Sequence, residues 1–343
     1  MRLPGPKLAM LVAAGLQAAD KGPIPIPLAW PADPAGLRVH HLESITTPAD
    51  LSIRRSLFGR LGNLLLGPDD RPEALVRPFG IAVDPQGRLL VTELASPAVH
   101  LLDAKRGQHR LLRGPSRRPL QSPVGVDADS AGNIYVSDSA LGQLFVFDRE
   151  GRFLRFLGEA RGEGLFKRPT GLALDRATSL IYLTDTLRHK VFVLNPKGVI
   201  EREWGERGEG PGQFNFPIAI AVAAGHVYVL DSLNFRVQVF TLQGSFLSSF
   251  GSPGDAPGYF FRPKGLAVDP AGKLVLVVDA MFEAVQAFTP EGKLVLAFGH
   301  PGSGPGQFRL PAGIWVEPNG RILVADCYNG RIQVFRQLSG ASP

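Results

Sequence analysis

A chain that repeats itself at a fixed interval must stack like units on one another, and this chain repeats six times. Aligned on an acid, the lines are VTELASPAVHLL (91–102), VSDSALGQLFVF (136–147), LTDTLRHKVFVL (183–194), VLDSLNFRVQVF (229–240), VVDAMFEAVQAF (277–288) and VADCYNGRIQVF (324–335). The acids are Glu93, Asp138, Asp185, Asp231, Asp279 and Asp326, spaced 45, 47, 46, 48 and 47 residues apart. A second column runs ahead of them: RPFGIAVD, SPVGVDAD, RPTGLALD, FPIAIAV, RPKGLAVD and LPAGIWVE. Its glycines are at 80, 125, 171, 265 and 313, with Ala219 in the fourth unit. The fifth unit divides into KGLAVD, KLVLVVD, AVQAFT and KLVLAFG, parted by turn pieces such as DPAGK and TPEGK. These are four short strands. Four strands per period of this length specify a propeller blade. The expectation is an all-β, six-bladed β-propeller of four-stranded antiparallel blades over residues 71–338. No helix-period segment separates the units, which excludes a parallel α/β fold.

The sixth unit supplies only GIWVEP, RILVADC and RIQVFRQL before the repeats run out. A bare outer edge would invite aggregation. Ahead of the first unit, GLRVHHLESI (36–45) has strand character and matches no repeat. It is predicted to lie on RIQVF as the fourth strand and close the ring.

The pattern Pro-x-Gly-[Ile/Leu]-Ala-Val-Asp, then a strand ending in Asp, then Asn-x-Arg-[Ile/Val]-Gln-Val-Phe, resembles the NHL repeat. So do the linkers GERGEGPGQFNFP (205–217) and GHPGSGPGQFRLP (299–311). The resemblance covers residues 75–337 and implies an exported, bacterial type of six-bladed propeller. It also implies a range of functions: RNA binding, protein binding, sensing and one lyase group. Function resides in sites rather than folds, so the resemblance does not choose among them.

The chain begins MRLPGPKLAMLVAAGLQAAD, with Arg2 and Lys7 ahead of an apolar run at 8–16 and small residues at Ala18 and Ala19. This reads as a signal peptide over residues 1–19, hence a periplasmic or secreted protein. The run is too short to span a bilayer, and no transmembrane segment is expected. The single cysteine, Cys327, cannot form an internal disulfide. Residues 20–70 form an N-terminal extension that carries the closing strand. In its PADLSIRRSLFGRLGNLLLG (48–67), Ile53, Leu57, Phe58, Leu61, Leu64 and Leu65 share one helical face. Arg54, Arg55 and Arg60 lie elsewhere on the wheel, and Asp50 is placed to cap the start. A helix over 50–66 is expected, packed on the propeller or touching a membrane surface or partner. The net charge of +6 is scattered, with no long basic run, so no nucleic-acid partner is expected.

A ring of six acids suggests calcium. One such acid per blade is also what a structural role predicts, because an Asp at a strand end bonds the backbone of the next turn. Glu93, Asp138, Asp185, Asp231, Asp279 and Asp326 are therefore assigned to turns, and no metal or cofactor is assigned. The seven histidines show no paired spacing, and the zinc-binding histidines that the lyase resemblance implies cannot be placed. No Gly-x-Ser-x-Gly, His-Glu-x-x-His or phosphate loop occurs.

Repeat-breaking residues are where a site grafted on the scaffold should show. Two residues after the glycine column stand Ala82, Asp127, Ala173, Ala221, Ala267 and Trp315. Asp127 is the odd member, a carboxylate assigned to the central channel. Just before the glycines, Lys264 is the one charge in its column. Two residues after the acids stand Ala95, Ala140, Leu187, Leu233, Met281 and Tyr328, large and apolar on blades three to six. Arg188, Asn234, Phe235, Phe282 and Asn329 follow on the same loops. This face is predicted to bind a protein partner, with Leu233, Phe235, Phe282 and Tyr328 as anchors and Lys264 nearer the axis. The resulting expectation is an exported, non-enzymatic binding scaffold in the cell envelope. The alternatives are a lyase- or lactonase-type enzyme with a channel metal, and an accessory of an envelope assembly such as a multihaem cytochrome system.

Overall fold

The computed structural model describes residues 29–30, 38–53, 74–160 and 163–338. Six antiparallel sheets stand as blades about an axis. Blade four shows the plan: Pro217–Ala223, His226–Asp231, Arg236–Thr241 and Phe246–Phe250 pair in sequence order from the axis outward. The first strands of the others are Pro78–Val83, Pro123–Ala128, Pro169–Asp175, Pro263–Val268 and Ile314–Val316. Each touches the first strands of both neighbouring blades, and these contacts run full circle from blade six to blade one.

Burial follows from that stacking. Second and third strands are sandwiched between adjacent blades, so both their faces are buried; Leu89–Glu93 and Gln143–Phe147 are buried at every position. Fourth strands face solvent on one side and alternate, as in Ile200–Trp204. The core is a set of inter-blade layers: Leu90 and Val99 of blade one pack with Val136 and Phe145 of blade two, and so on round the ring. The linkers into blades three to six each plant one phenylalanine into such a layer, Phe166, Phe214, Phe260 and Phe308, and the linker into blade two plants Leu120.

The glycine column has a steric cause. A Cβ on Gly80 would lie 2.2 Å from the Val124 carbonyl oxygen of the next blade, and one on Gly265 would lie 2.1 Å from that of Ala312. At these two seams the first strands converge so closely that only a missing side chain fits, whereas blade four admits the single methyl of Ala219. Hydroxyls beside the acids bridge the same seams. Thr92 donates to Val124 O at 3.1 Å, Ser137 to Thr170 O at 2.6 Å and Ser232 to Pro263 O at 3.0 Å.

Blade six takes its fourth strand from the N-terminal extension. Arg38–Ile45 pairs antiparallel with Arg331–Leu338, from Arg38 opposite Leu338 to Ile45 opposite Ile332. Val39 and Ile45, both 1% exposed, carry this strand into the core. Ala29–Trp30 adds a short fifth strand outside it. The amphipathic helix expected over 50–66 lies largely outside the described residues. Its described beginning is a 3-10 turn, Pro48–Leu51, ended by Ser52 at φ +60°. Asp50 does not sit at the N-cap there; from the third position its carboxylate accepts the amides of Thr46 and Thr47, both at 2.8 Å. The signal peptide over 1–19 is also outside the described residues. Among the described residues, no helix is long and apolar enough to cross a membrane.

Candidate functional site

First strands begin, and second strands end, on the same rim of the disc, so this lead-in rim carries both the lead-in turns and the loops after the acids. The six acids are at most 1% exposed. Each ties a lead-in turn to its blade. Glu93 accepts the amides of Val76 and Arg77 at 2.9 Å, and Asp279 those of Phe261 at 2.8 Å and Arg262 at 3.0 Å. Asp138 and Asp185 bind Gln121 N at 2.6 Å and Lys167 N at 2.8 Å in the same way. Asp231 and Asp326 hold more. Asp326 accepts Arg309 N at 2.7 Å and also the side chains of Asn329, Arg331 and Gln333 at 2.9, 2.7 and 3.0 Å. Burial still pushes the Asp231 carboxyl up despite its donors Asn215, Asn234 and Arg236.

In blades four and six the loop after the acid is a single 3-10 turn, Ser232–Asn234 or Cys327–Asn329. Its last residue folds back: Asn234 donates to Gly208 O and Asp231, and Asn329 to Gly302 O and Asp326. The middle residue is left pointing outward. Leu233 is 50% exposed and Tyr328 55%, with Leu187 at 43% and Met281 at 47% on the loops of blades three and five.

The predicted partner face therefore divides. Leu187, Leu233, Met281 and Tyr328 stand clear of the surface. Arg188, Asn234 and Asn329 are committed internally; Arg188 donates to Leu165 O at 2.8 Å and lies 3.6 Å from Asp185. Phe235 is not a free anchor, because the left-handed turn at φ +54° lays its ring against the core between blades four and five. Phe282 is half-buried, its ring centroid 6.3 Å from that of Phe261. Phe261 itself, 53% exposed, belongs to the face and was missed. Its signal was legible: the residue after the buried linker phenylalanine is Lys167, Asn215 or Arg309 elsewhere.

Inside the rim the first strands enclose an axial channel of about 520 Å³. Lys264 lines its lead-in mouth, with Nζ 5.8 Å from the centroid of the Phe79 ring. Burial lowers its pKa, and the nearby Arg262, Arg77 and Arg168 add to the effect. Three strand positions deeper, about 10 Å at the strand rise, stand Asp127 and Trp315. Asp127 is 5% exposed but not unpartnered: it accepts its own blade's Ala128 N and blade three's Leu174 N, both at 2.8 Å. Arg176 reaches from blade three to pair with it at 3.6 Å, to donate to Val83 O and Ala128 O, and to cover Trp315 with 5.6 Å from guanidinium to ring. Burial nonetheless raises the Asp127 pKa to about 6. Arg176 also escaped the sequence reading. It replaces the small or proline residue that follows the acid in turns such as DPQGR and DSAGN.

Among the described residues no group of three or more His, Cys, Asp and Glu side chains is placed to hold a metal ion. Cys327 is buried. His100 and His109 form a stacked pair in blade one, ring nitrogens 3.1 Å apart, away from the channel. Burial, His109 and Arg113 together lower the His100 pKa to about 3.

The NHL repeat description matches residues 308–335, and a second, 6-bladed beta-propeller, matches residues 214–288. Among curated proteins, the peptidylglycine alpha-amidating monooxygenase of Rattus norvegicus is 29% identical over 118 residues, which is 31% of this chain and 12% of the rat protein. The shared stretch is thus a small part of that relative. Among solved structures, a gluconolactonase of Xanthomonas campestris superposes with a TM-score of 0.60 and 15% identity, over 90% of this chain and 92% of its own. The virginiamycin B lyase of Staphylococcus aureus, solved with quinupristin, gives 0.56 and 15% over 76% and 95%. At such identities the likeness shows the fold alone. The chain is a six-bladed β-propeller, and residues 308–335 of it match the NHL repeat.

Proposed function

We propose that this protein is an exported, non-enzymatic binding scaffold that captures a protein partner on its lead-in rim, across blades three to six. One observation carries the reading. Leu187, Leu233, Phe261, Met281 and Tyr328 are large, apolar and 43–55% exposed on consecutive blades of one rim. The turns beneath them are already satisfied by buried acids and asparagines, so folding does not require apolar tips. Exposed apolar residues gathered on one face mark interaction sites. Aromatic anchors beside arginines are the composition of interface hot spots; here Arg77 lies over the Tyr328 ring at 5.2 Å. Arg168 and Arg262, exposed on neighbouring lead-in turns, would favour a partner with acidic residues at its rim.

The test is affinity capture from envelope extract with the wild type and with Leu233→Ser/Tyr328→Ser. The double variant should lose the partner that the wild type retains, with its melting temperature unchanged. Equal capture by both would overturn the docking face. Export predicts a mature chain beginning near residue 20, and mass spectrometry of native protein with an intact start would refute it.

A further inference from the structure

The channel has a chemistry that docking on the rim does not use. At its lead-in mouth the Lys264 side chain makes no hydrogen bond and no ion pair among the described residues; it lies over the face of Phe79. The charged groups that act on it most are cations, Arg262, Arg77 and Arg168, together with the buried Cys327 thiol. A half-buried ammonium without a carboxylate partner is an incomplete ion pair. One level deeper, each blade contributes one branched aliphatic to the wall: Ile81, Val126, Leu172, Ile220, Leu266 and Ile314. Their exposure of 4–8% is what remains to them at the channel wall. The level beyond ends in Trp315 under Arg176, whose own charge is met by Asp127.

These levels have the layout of a small-molecule site: a concave, mainly apolar cavity with one convergent polar group fixing orientation. The volume of about 520 Å³ falls within the usual range for such sites. Of the residues lining the mouth Lys264 is the one cation, Arg77, Arg168 and Arg262 lying outside the channel lining, and a single donor there suits a singly charged group. A phosphate would call for several converging donors or a bidentate guanidinium, and the aliphatic wall behind Lys264 supplies neither.

We propose that the axial channel binds small organic carboxylates with an apolar body, which enter at the lead-in rim and set the carboxylate on Lys264 Nζ and the body against the aliphatic belt. The site lies inside the channel whereas the partner docks on the loop tips of the same rim, and neither needs the other.

The test uses the full chain and 4-phenylbutyrate, with 4-phenylbutanol, 4-phenylbutylamine and phenyl phosphate as comparisons, by calorimetric titration. Phenylbutyrate should bind saturably at one site. The alcohol and amine should bind at least about tenfold more weakly, having lost a charge-assisted hydrogen bond. Lys264→Met should weaken phenylbutyrate by a similar factor while leaving the melting temperature equal or higher, because it removes an uncompensated buried charge. Lys264→Arg should restore most of the binding. Absence of phenylbutyrate binding, equal binding by Lys264→Met, or tighter binding of phenyl phosphate would each overturn the proposal. Should Lys264→Met fail to fold, the NMR signal of the Lys264 side chain in the wild type must shift on adding phenylbutyrate, and an unmoved signal overturns it equally. Leu233→Ser/Tyr328→Ser should bind phenylbutyrate like the wild type. Failure of the docking face and failure of the channel site are thereby told apart.

Discussion

The two rims of the propeller solve the same folding problem with different side chains. On the far rim, the turns between first and second strands close on their own acids in blades one, two, three and five. Asp84 accepts the amides of Gln86 and Arg88 at 2.9 Å, and Asp129 those of Ala131 at 3.0 Å and Asn133 at 2.8 Å. None of the large exposed apolar residues falls in those turns. On the lead-in rim the acids are buried and hold two loops at once, yet the loop tips are Leu187, Leu233, Met281 and Tyr328. Turn chemistry is thus satisfied on both rims; large exposed apolar tips stand on four consecutive blades of the lead-in rim, whereas the far rim has Val199, 58% exposed, in one turn between third and fourth strands. The difference teaches that those tips answer to something other than folding.

The comparison stands only while the ring is closed, and opening it should have the largest effect. Deleting the chain through residue 46 removes Arg38–Ile45 and bares the edge of Arg331–Leu338. Val39 and Ile45 alone account for about 3–6 kcal/mol of burial. The truncated protein should lose its single cooperative melting transition and aggregate, as followed by calorimetry and light scattering; an unchanged transition would show that the strand is not a latch.

Next come the acids of the two rims. Asp326→Ala takes the buried acceptor from Arg309 N and from the side chains of Asn329, Arg331 and Gln333, and should cost about 3–5 kcal/mol. Asp269→Ala, on the far rim, removes turn bonds from Lys273 and Leu274 and should cost about 1 kcal/mol. Denaturant unfolding of the pair measures the contrast, and equal costs would erase it.

Asp127 gives a pH signature at the channel's deeper level. Its folded pKa of about 6 lies above the unfolded value near 3.8, so the folded state holds the proton more tightly between those values. Stability from this group is present below about pH 4 and falls as pH rises to 6, by on the order of 2–3 kcal/mol. Asp127→Asn should flatten that slope relative to the wild type, and parallel stability profiles would contradict it.

The smallest stability effect belongs to the exposed tips. Leu233→Ser and Tyr328→Ser should each change unfolding free energy by no more than about 0.5 kcal/mol, since both side chains are half exposed and Tyr328 is covered by the Arg77 guanidinium rather than by the core. A larger loss would mean that these side chains serve the core after all.

The fold was legible because period, acid column and glycine column each have a single steric or hydrogen-bonding cause repeated six times. The closing strand was legible because one blade lacked a strand and one segment had no blade. The site was less so. A column position fixes which rim a residue occupies but not its rotamer, so Phe235 and Leu233, two residues apart, could not be told apart as buried and exposed until the left-handed turn was seen. Asn234 and Asn329 resemble interface residues in composition, whereas their amides are consumed by the acids three residues earlier. Arg176 lay in a turn whose neighbours are proline and serine, and its reach across to Asp127 and Trp315 depends on the curvature of the whole ring.

The central claim, that the lead-in rim rather than the far rim meets a partner, is tested most directly by site-specific photocrosslinking in the native host. A photoreactive residue is placed at Leu233 in one variant and at Ser130, exposed in a far-rim turn, in another. The account predicts a discrete protein adduct from position 233, lost when Tyr328→Ser is added, and none from position 130. Adducts from position 130 alone, or the same adducts from both, would contradict it.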